Sequence, residues 1–419
     1  MTRGIKWLFI LLLILGLTAC APGVEPSPSP TDGVTPSPTG STGPVSPTEQ
    51  PVLAPASPPD PVEEWLADMS TQEKVGQLLV AGIEGLTPGE DGRAALEDYQ
   101  VGGIILFGRN VESAAQLTAL TNDLKALNGG PVPLFLSVDE EGGRVSRMPD
   151  EAIGLPSPYE DVERGGDPYA RGEALGALCA AFGFNLNYAP VLDVWSNPEN
   201  TIIGDRAFGS TWAGVTAAGP ACAQGLTEAG VIPVVKHFPG HGDTLADSHK
   251  TLPVVEKGLE QLMAEELLPF RAAIEKGVPA VMVAHILMTQ LDGQYPASLS
   301  PPVVDGLLRE ELGFDGMVCT DDLTMGAISE TYTVGEAAVL AVEAGCDLLL
   351  VCHKTENLAA AYDAILAAVE RGRISPQRLD ESVRRILRVK QAYGLHDGTV
   401  FLPDTEQLNE EVKALLAIP

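Results

Sequence analysis

The densest concentration of reactive side chains lies in residues 236–253, KHFPGHGDTLADSHKTLP. Lys236 and His237 close an apolar run, and Pro239, Gly240 and Gly242 interrupt any regular element after it. Within that loop Asp247 and His249 flank Ser248. A carboxylate two residues from an imidazole can hold one ring nitrogen, fix the tautomer and raise the basicity of the other, which prepares a general acid/base. The same residues also suit an Asx-type turn with a solvated His. A metal reading takes His237, His241 and His249, but these spacings through a Gly-Pro loop are a poor zinc pattern, and no HExxH occurs. On spacing alone the order is acid/base dyad, turn, metal.

These residues need elements to position them, and the chain supplies a regular series. Apolar runs of strand length recur at 77–83, 102–108, 133–139, 184–194, 231–238, 280–286, 316–322 and 347–353, separated by stretches with helical spacing. Continuous rather than alternating apolar runs predict parallel strands covered on both faces. Eight strand–helix units fit a single (β/α)8 TIM-type barrel with long loops better than an open doubly wound sheet. Ser375-Pro376 predicts a capped closing helix with Leu379, Val383, Ile386 and Leu387 as its apolar stripe. Such a barrel places its chemistry at the carboxyl ends of the strands. Those ends carry Asp139 and Glu140, Asp193, Lys236 and His237, His285, Asp321 and Asp322, and His353. Strand-terminal polar groups also cap helices, so each alone has a structural reading. Together they predict a polar pocket for a hydroxyl-rich or charged small ligand.

Composition narrows the partners. Among 419 residues, 26 Lys and Arg face 57 Asp and Glu, a net charge of −31. Nucleic-acid affinity is built largely from Lys and Arg neutralising phosphates, so nucleic acid is excluded as a partner. Residues 4–20, GIKWLFILLLILGLTAC, join a basic start to an apolar core of about 13 residues, the length of a signal-peptide h-region rather than a membrane span. Leu17-Thr18-Ala19-Cys20 resembles the bacterial lipobox, implying cleavage before a lipidated Cys20. Residues 22–61 then bring 13 Pro, many Ser and Thr, and no Lys or Arg, the composition of an extended tether. The expected organisation is a lipoprotein signal peptide (1–19), lipidated Cys20 and linker (20–61), barrel (62–395) and C-terminal extension (396–419), with the protein extracytoplasmic and held to a membrane only through Cys20. The other five cysteines are an odd number, so at least one is expected to be a free thiol. None of their spacings is CxxC.

KHFPGHGDTLADSH, DEEGGRVSRM (139–148), NLNYAPVLDV (185–194), IIGDRAFG (202–209) and GFDGMVCTDDLTM (313–325) resemble glycoside hydrolase family 3, in its β-N-acetylhexosaminidase branch. The resemblance runs from Trp65 to Leu395, with the motifs in barrel order. The Asp-Ser-His loop is specific to this branch, since β-glucosidase members use a Glu from a second domain, and none is expected after Leu395. The resemblance implies Asp321 as nucleophile, His249 as acid/base and Asp247 as its orienting partner. It also implies that Asp139, Arg147, Arg206, Lys236 and His237 hold the terminal sugar. Arg147 and Asp139 have a structural alternative, pairing with each other. The mechanism implied is retaining hydrolysis of non-reducing β-linked GlcNAc, from peptidoglycan-derived or chitin-type oligosaccharides, with no cofactor and no metal. Alternatives are a β-glucosidase or GlcNAc phosphorylase of the same family, a metal hydrolase built on His237, His241, His249 and Asp321, and a non-catalytic glycan-binding lipoprotein.

Overall fold

Eight short parallel strands, each inside one of the expected apolar runs, form a nearly closed barrel. They are β1 Leu79–Gly82, β2 Gly103–Leu106, β3 Phe135–Val138, β4 Leu186–Asn187, β5 Ile232–Phe238, β6 Ala280–Val283, β7 Met317–Thr320 and β8 Leu349–Val351. A computed structural model describes residues 60–244, 248 and 251–417 of the chain. Each strand pairs in parallel with its sequence neighbour from β1 through β7, and β8 pairs with β1. A single parallel bridge, Cys319 to Leu348, joins β7 to β8 and completes the ring. The chain is therefore a (β/α)8 barrel.

The strands are short because their apolar runs are shared between strand and loop. The run at 184–194 yields two strand residues, after which Val191 bridges Lys236. Pro190 has no amide hydrogen for a ladder, and its backbone carbonyl instead accepts from Lys236 N at 3.2 Å. Two further parallel segments, Val254–Val255 and Leu287–Met288, pair outside the barrel. Neither stands out as a strand in the sequence, because each is only two residues long.

The closing helix forms over Pro376–Ala392, as its cap and stripe predict. Ser375 Oγ accepts from Arg378 N at 3.1 Å, Pro376 occupies the first turn, and Leu379, Val383, Ile386 and Leu387 are buried. Its inner face also carries Ser382, which donates to Asp347 Oδ1 at 2.8 Å. Asp347, fully buried just before β8, accepts from Arg309 at 2.6 Å, Val318 N at 3.0 Å and Arg385 at 3.3 Å. One carboxylate thus ties the closing helix and the Pro302–Glu311 helix to β7 and β8. The helix Thr405–Leu415 buries Leu408 and Val412, and Asn409 is bonded to the backbone at Glu151 and Ile153.

All five cysteines in the barrel, Cys179, Cys222, Cys319, Cys346 and Cys352, are buried free thiols, consistent with their odd number. Among the described residues no helix is long and apolar enough to cross a membrane. Cys20 and the linker expected over 20–61 lie outside the described residues as far as residue 59, while Asp60 caps the helix Pro61–Asp68.

Removing one member of a buried charge cluster leaves the others unpaired, at a cost of about 3–5 kcal/mol. Asp347→Ala is therefore expected to lower unfolding free energy by about that amount, read as a shift of the urea midpoint at unchanged slope.

Candidate active site

The strand ends of β3, β5 and β7, together with the loops after β4, converge on a cavity of about 390 Å³. Its walls include Asp139, Arg147, Arg206, Lys236, His237 and Asp321. Six of the eight residues expected to form the site are thus brought together. The other two, Asp247 and His249, lie outside the described residues.

The charged framework starts at β3. The turn after it, Asp139-Glu140-Glu141-Gly142-Gly143, reverses sharply, with Gly142 at φ +81 and a Gly142–Val145 bridge. A Cβ on Gly142 would lie 2.4 Å from Arg171 Nη2 and 2.8 Å from the Pro156 carbonyl, so glycine is needed for both conformation and space. The reversal aims successive carboxylates in different directions. Asp139 faces the cavity and accepts from Lys236 Nζ at 2.5 Å. Lys236 also meets Glu141 Oε1 at 2.6 Å. Arg206 grips both oxygens of Glu141, Nη2 to Oε1 at 2.7 Å and Nε to Oε2 at 2.8 Å. Asp139 therefore pairs with Lys236 rather than with Arg147, whose Nη1 donates to the Ser146 carbonyl at 3.0 Å.

Burial pushes the Glu141 carboxyl up, but Arg206 and Lys236 outweigh it and hold it well below the usual carboxylate range. Lys236 is held above its ordinary value, because Asp139 and Glu141 overcome the burial that opposes its charge. Glu141 escaped the sequence reading, which stopped at Asp139 and Glu140. Two cations expected in one pocket need a buried counter-charge, and that was the available signal.

Glu140 points away from the cavity. Its Oε2 accepts from Ser146 Oγ at 2.9 Å and Arg147 N at 2.7 Å, while Asn187 bonds its backbone on both sides. Burial pushes its carboxyl up to about 7, against the opposing pull of those hydrogen bonds.

At β5, His237 Nδ1 lies 2.6 Å from Asp193 Oδ2. Burial raises the Asp193 carboxyl, but His237 and His241 more than offset it and hold it low. An ionised Asp193 makes Nδ1 the protonated nitrogen of His237, leaving Nε2 for a ligand. Asp193 also accepts from His241 N at 2.6 Å, anchoring the loop after β5. That loop comes close to the backbone after β4: a Cβ on Gly242 would lie 1.8 Å from the Val194 carbonyl. The Pro-Gly-His-Gly sequence is thus as much a packing requirement as a break in structure.

The adjacent acids after β7 both line the cavity but differ in their partners. Asp322 is occupied: its side chain accepts from Thr324 N, Thr324 Oγ1 and Cys352 N at 3.0, 2.6 and 3.0 Å. Asp321 accepts the Asp322 amide on Oδ1 at 2.8 Å and faces the cavity. Burial raises its carboxyl, but His285, His237, the Asp322 amide and Lys236 together keep it below its ordinary value. A half-buried, ionised carboxylate beside a sugar-sized polar cavity can attack an electrophilic carbon. His285 is fully buried behind this strand end, with Nδ1 2.7 Å from Ser298 Oγ and Nε2 accepted by the Asp322 carbonyl at 3.0 Å. His353 stands at the rim, half exposed and stacked on Phe107.

Residues 70–389 match the model of the glycosyl hydrolase family 3 N-terminal domain. The chain belongs to glycosyl hydrolase family 3. It is thus a glycoside hydrolase whose family match spans the whole barrel. A family 3 relative, the beta-hexosaminidase LpqI of Mycobacterium tuberculosis, is 37% identical over 89% of this chain and 94% of its own length. The family 3 β-N-acetylglucosaminidase of Paenibacillus sp. has a similar structure, with a TM-score of 0.77 and 44% identity over 83% of this chain and 69% of that one. The beta-N-acetylhexosaminidase of Beutenbergia cavernae superposes with a TM-score of 0.72 at 30% identity, covering 78% of this chain and 99% of its own.

The upward displacement of Glu140 has a sign that can be tested. Between pH 4.5 and about 7 the unfolded chain has released a proton that folded Glu140 retains, so stability declines as pH rises through that window. Glu140→Gln keeps a carbonyl acceptor for Ser146 and Arg147 but removes the titration. Its stability relative to the parent is expected to improve by about 3 kcal/mol between pH 4.5 and pH 8, measured as the difference between urea unfolding curves at the two values.

Proposed function

We propose that this family 3 hydrolase is a retaining exo-β-N-acetylglucosaminidase that removes non-reducing terminal GlcNAc from β-linked oligosaccharides. The observation carrying this reading is the pair at the end of β7: Asp322 is fully engaged by local donors, and Asp321 stays ionised and open to the cavity. The names of the three relatives described above support β-linked N-acetylhexosamine as the substrate class.

In this mechanism Asp321 attacks the anomeric carbon while His249, oriented by Asp247, protonates the departing oxygen. Water activated by His249 then releases the sugar with its configuration retained. Asp139, Lys236, Arg206, His237 and Arg147 are the proposed contacts to the sugar. Lys236 and the protein carboxylates are already paired, so sugar hydroxyls, which both donate and accept, join the network without introducing an unpaired charge. Arg147 has donors left after its bond to Ser146 and is the proposed contact for an acceptor group such as the N-acetyl carbonyl. The lipobox at Cys20 and the Pro-rich segment after it support an extracytoplasmic, lipid-anchored protein that acts on cell-wall fragments.

The test is turnover of nitrophenyl β-GlcNAc and β-glucose by residues 62–419, with and without chelator. Activity on the GlcNAc compound that resists chelator and falls by about 10⁴-fold in Asp321→Asn is expected, with NMR reporting the β-anomer as first product. Loss to chelator would revive a metal hydrolase. Release of sugar 1-phosphate in phosphate buffer would make the enzyme a phosphorylase, and no turnover by the folded protein would leave a glycan-binding role.

A further inference from the structure

Ser248 sits at the centre of the Asp-Ser-His motif, between two residues given roles above. It is 4% exposed and held from two directions. Its Oγ is 3.3 Å from His241 Nε2, and its backbone carbonyl accepts from Ala327 N at 3.1 Å. Ala327 belongs to the short helix Gly326–Ser329, which begins five residues after Asp321. Ser248, Met325 and Gly326 all line the same cavity as Asp321.

His241 is bonded at both ring nitrogens, to Thr244 on one side and to Ser248 on the other. Thr244 Oγ1 lies 3.0 Å from the His241 carbonyl and 2.6 Å from His241 Nδ1. A hydroxyl has one proton. If Thr244 gives it to the carbonyl, Thr244 accepts from Nδ1–H; if it gives it to Nδ1, the ring proton sits on Nε2. Burial, with His237 beside it, holds the His241 ring below its ordinary value, so the ring is neutral and carries one proton. A hydroxyl both donates and accepts, so Ser248 Oγ pairs with Nε2 under either tautomer. His241 itself is anchored, because its N is bonded to Asp193 at 2.6 Å and its carbonyl takes Asn200 Nδ2 at 2.8 Å.

We propose that Ser248 is a positioning residue that ties the loop carrying Asp247 and His249 to the segment following Asp321, with His241 as its fixed partner. The proposal rests on the reading of His249 as the acid/base. Consecutive Cα atoms are about 3.8 Å apart, so fixing Ser248 restricts where its two neighbours can stand. A displacement of about 1 Å between reacting groups costs about 100-fold in rate.

Four single variants, Ser248→Ala, Ser248→Thr, His241→Gln and His249→Ala, separate this role from a merely structural one. Thermal melts are recorded alongside turnover of nitrophenyl β-GlcNAc, with and without azide, a nucleophile that needs no base to attack the glycosyl-enzyme. Ser248→Ala is expected to lower kcat about 10- to 100-fold, to leave KM within about twofold and the melting temperature unchanged, and to regain turnover in azide as β-glycosyl azide. Ser248→Thr restores kcat by keeping the hydroxyl, and His241→Gln repeats the kcat loss and its azide recovery. Parental kcat in Ser248→Ala, beside an azide-rescued His249→Ala, would overturn the positioning role and leave the acid/base reading intact. A His249→Ala enzyme that azide does not rescue would overturn the acid/base reading, and the proposal with it.

Discussion

One buried carboxylate organises the catalytic face. Glu141 has no contact with solvent to speak of, yet it stays ionised because Lys236 and both arms of Arg206 surround it. Those two cations come from β5 and from the loop after β4, while Glu141 belongs to the turn after β3. Three separate connections are therefore fixed to one point. Removing two charges from water is costly, and their attraction compensates only when geometry is good and the remaining donors are used. The bidentate grip of Arg206 and the second bond from Lys236 to Asp139 meet that condition. Asp139 is in turn the group left facing the cavity, so the position of a residue at the cavity wall is set by a carboxylate that does not reach it.

The same separation of tasks recurs along the strand ends. Asp193 holds His237 and the amide of His241, Asp322 gathers amides just after β7 and β8, and Asn187 clamps the backbone of Glu140. In each case one polar residue is spent on geometry while a neighbour, His237, Asp321 or Asp139, lines the cavity. Side chains held this way need little reorganisation when charge develops at the reacting centre, and such preorganised electrostatics is usually the largest contribution to catalysis.

The barrel was legible because its strands are continuous apolar runs separated by helical spacing, and every one of the eight runs contains a strand. The closing helix was legible because cap and stripe agree. Strand lengths were not, since an apolar residue after β4 reads the same whether it continues the ladder or turns into the loop beneath the site. At the cavity, residues of catalytic type at strand ends pointed to Asp139, Lys236, His237 and Asp321. The assignment between Asp321 and Asp322 could not come from strand alternation alone, because both follow the last paired residue, Thr320. The donors that engage Asp322 are what favour Asp321 in the proposed role. Glu141 was passed over because its partners, Arg206 and Lys236, are distant in sequence, and spacing along the chain does not encode that distance.

The placement of the five barrel thiols carries a consequence for their reactivity. Burial pushes every one of them upward, Cys222 to about 12, so the thiolate that oxidants and alkylating agents need is essentially absent at neutral pH. Among the described residues no disulfide staples the fold. In the folded barrel these five thiols are thus poor targets for oxidation or alkylation.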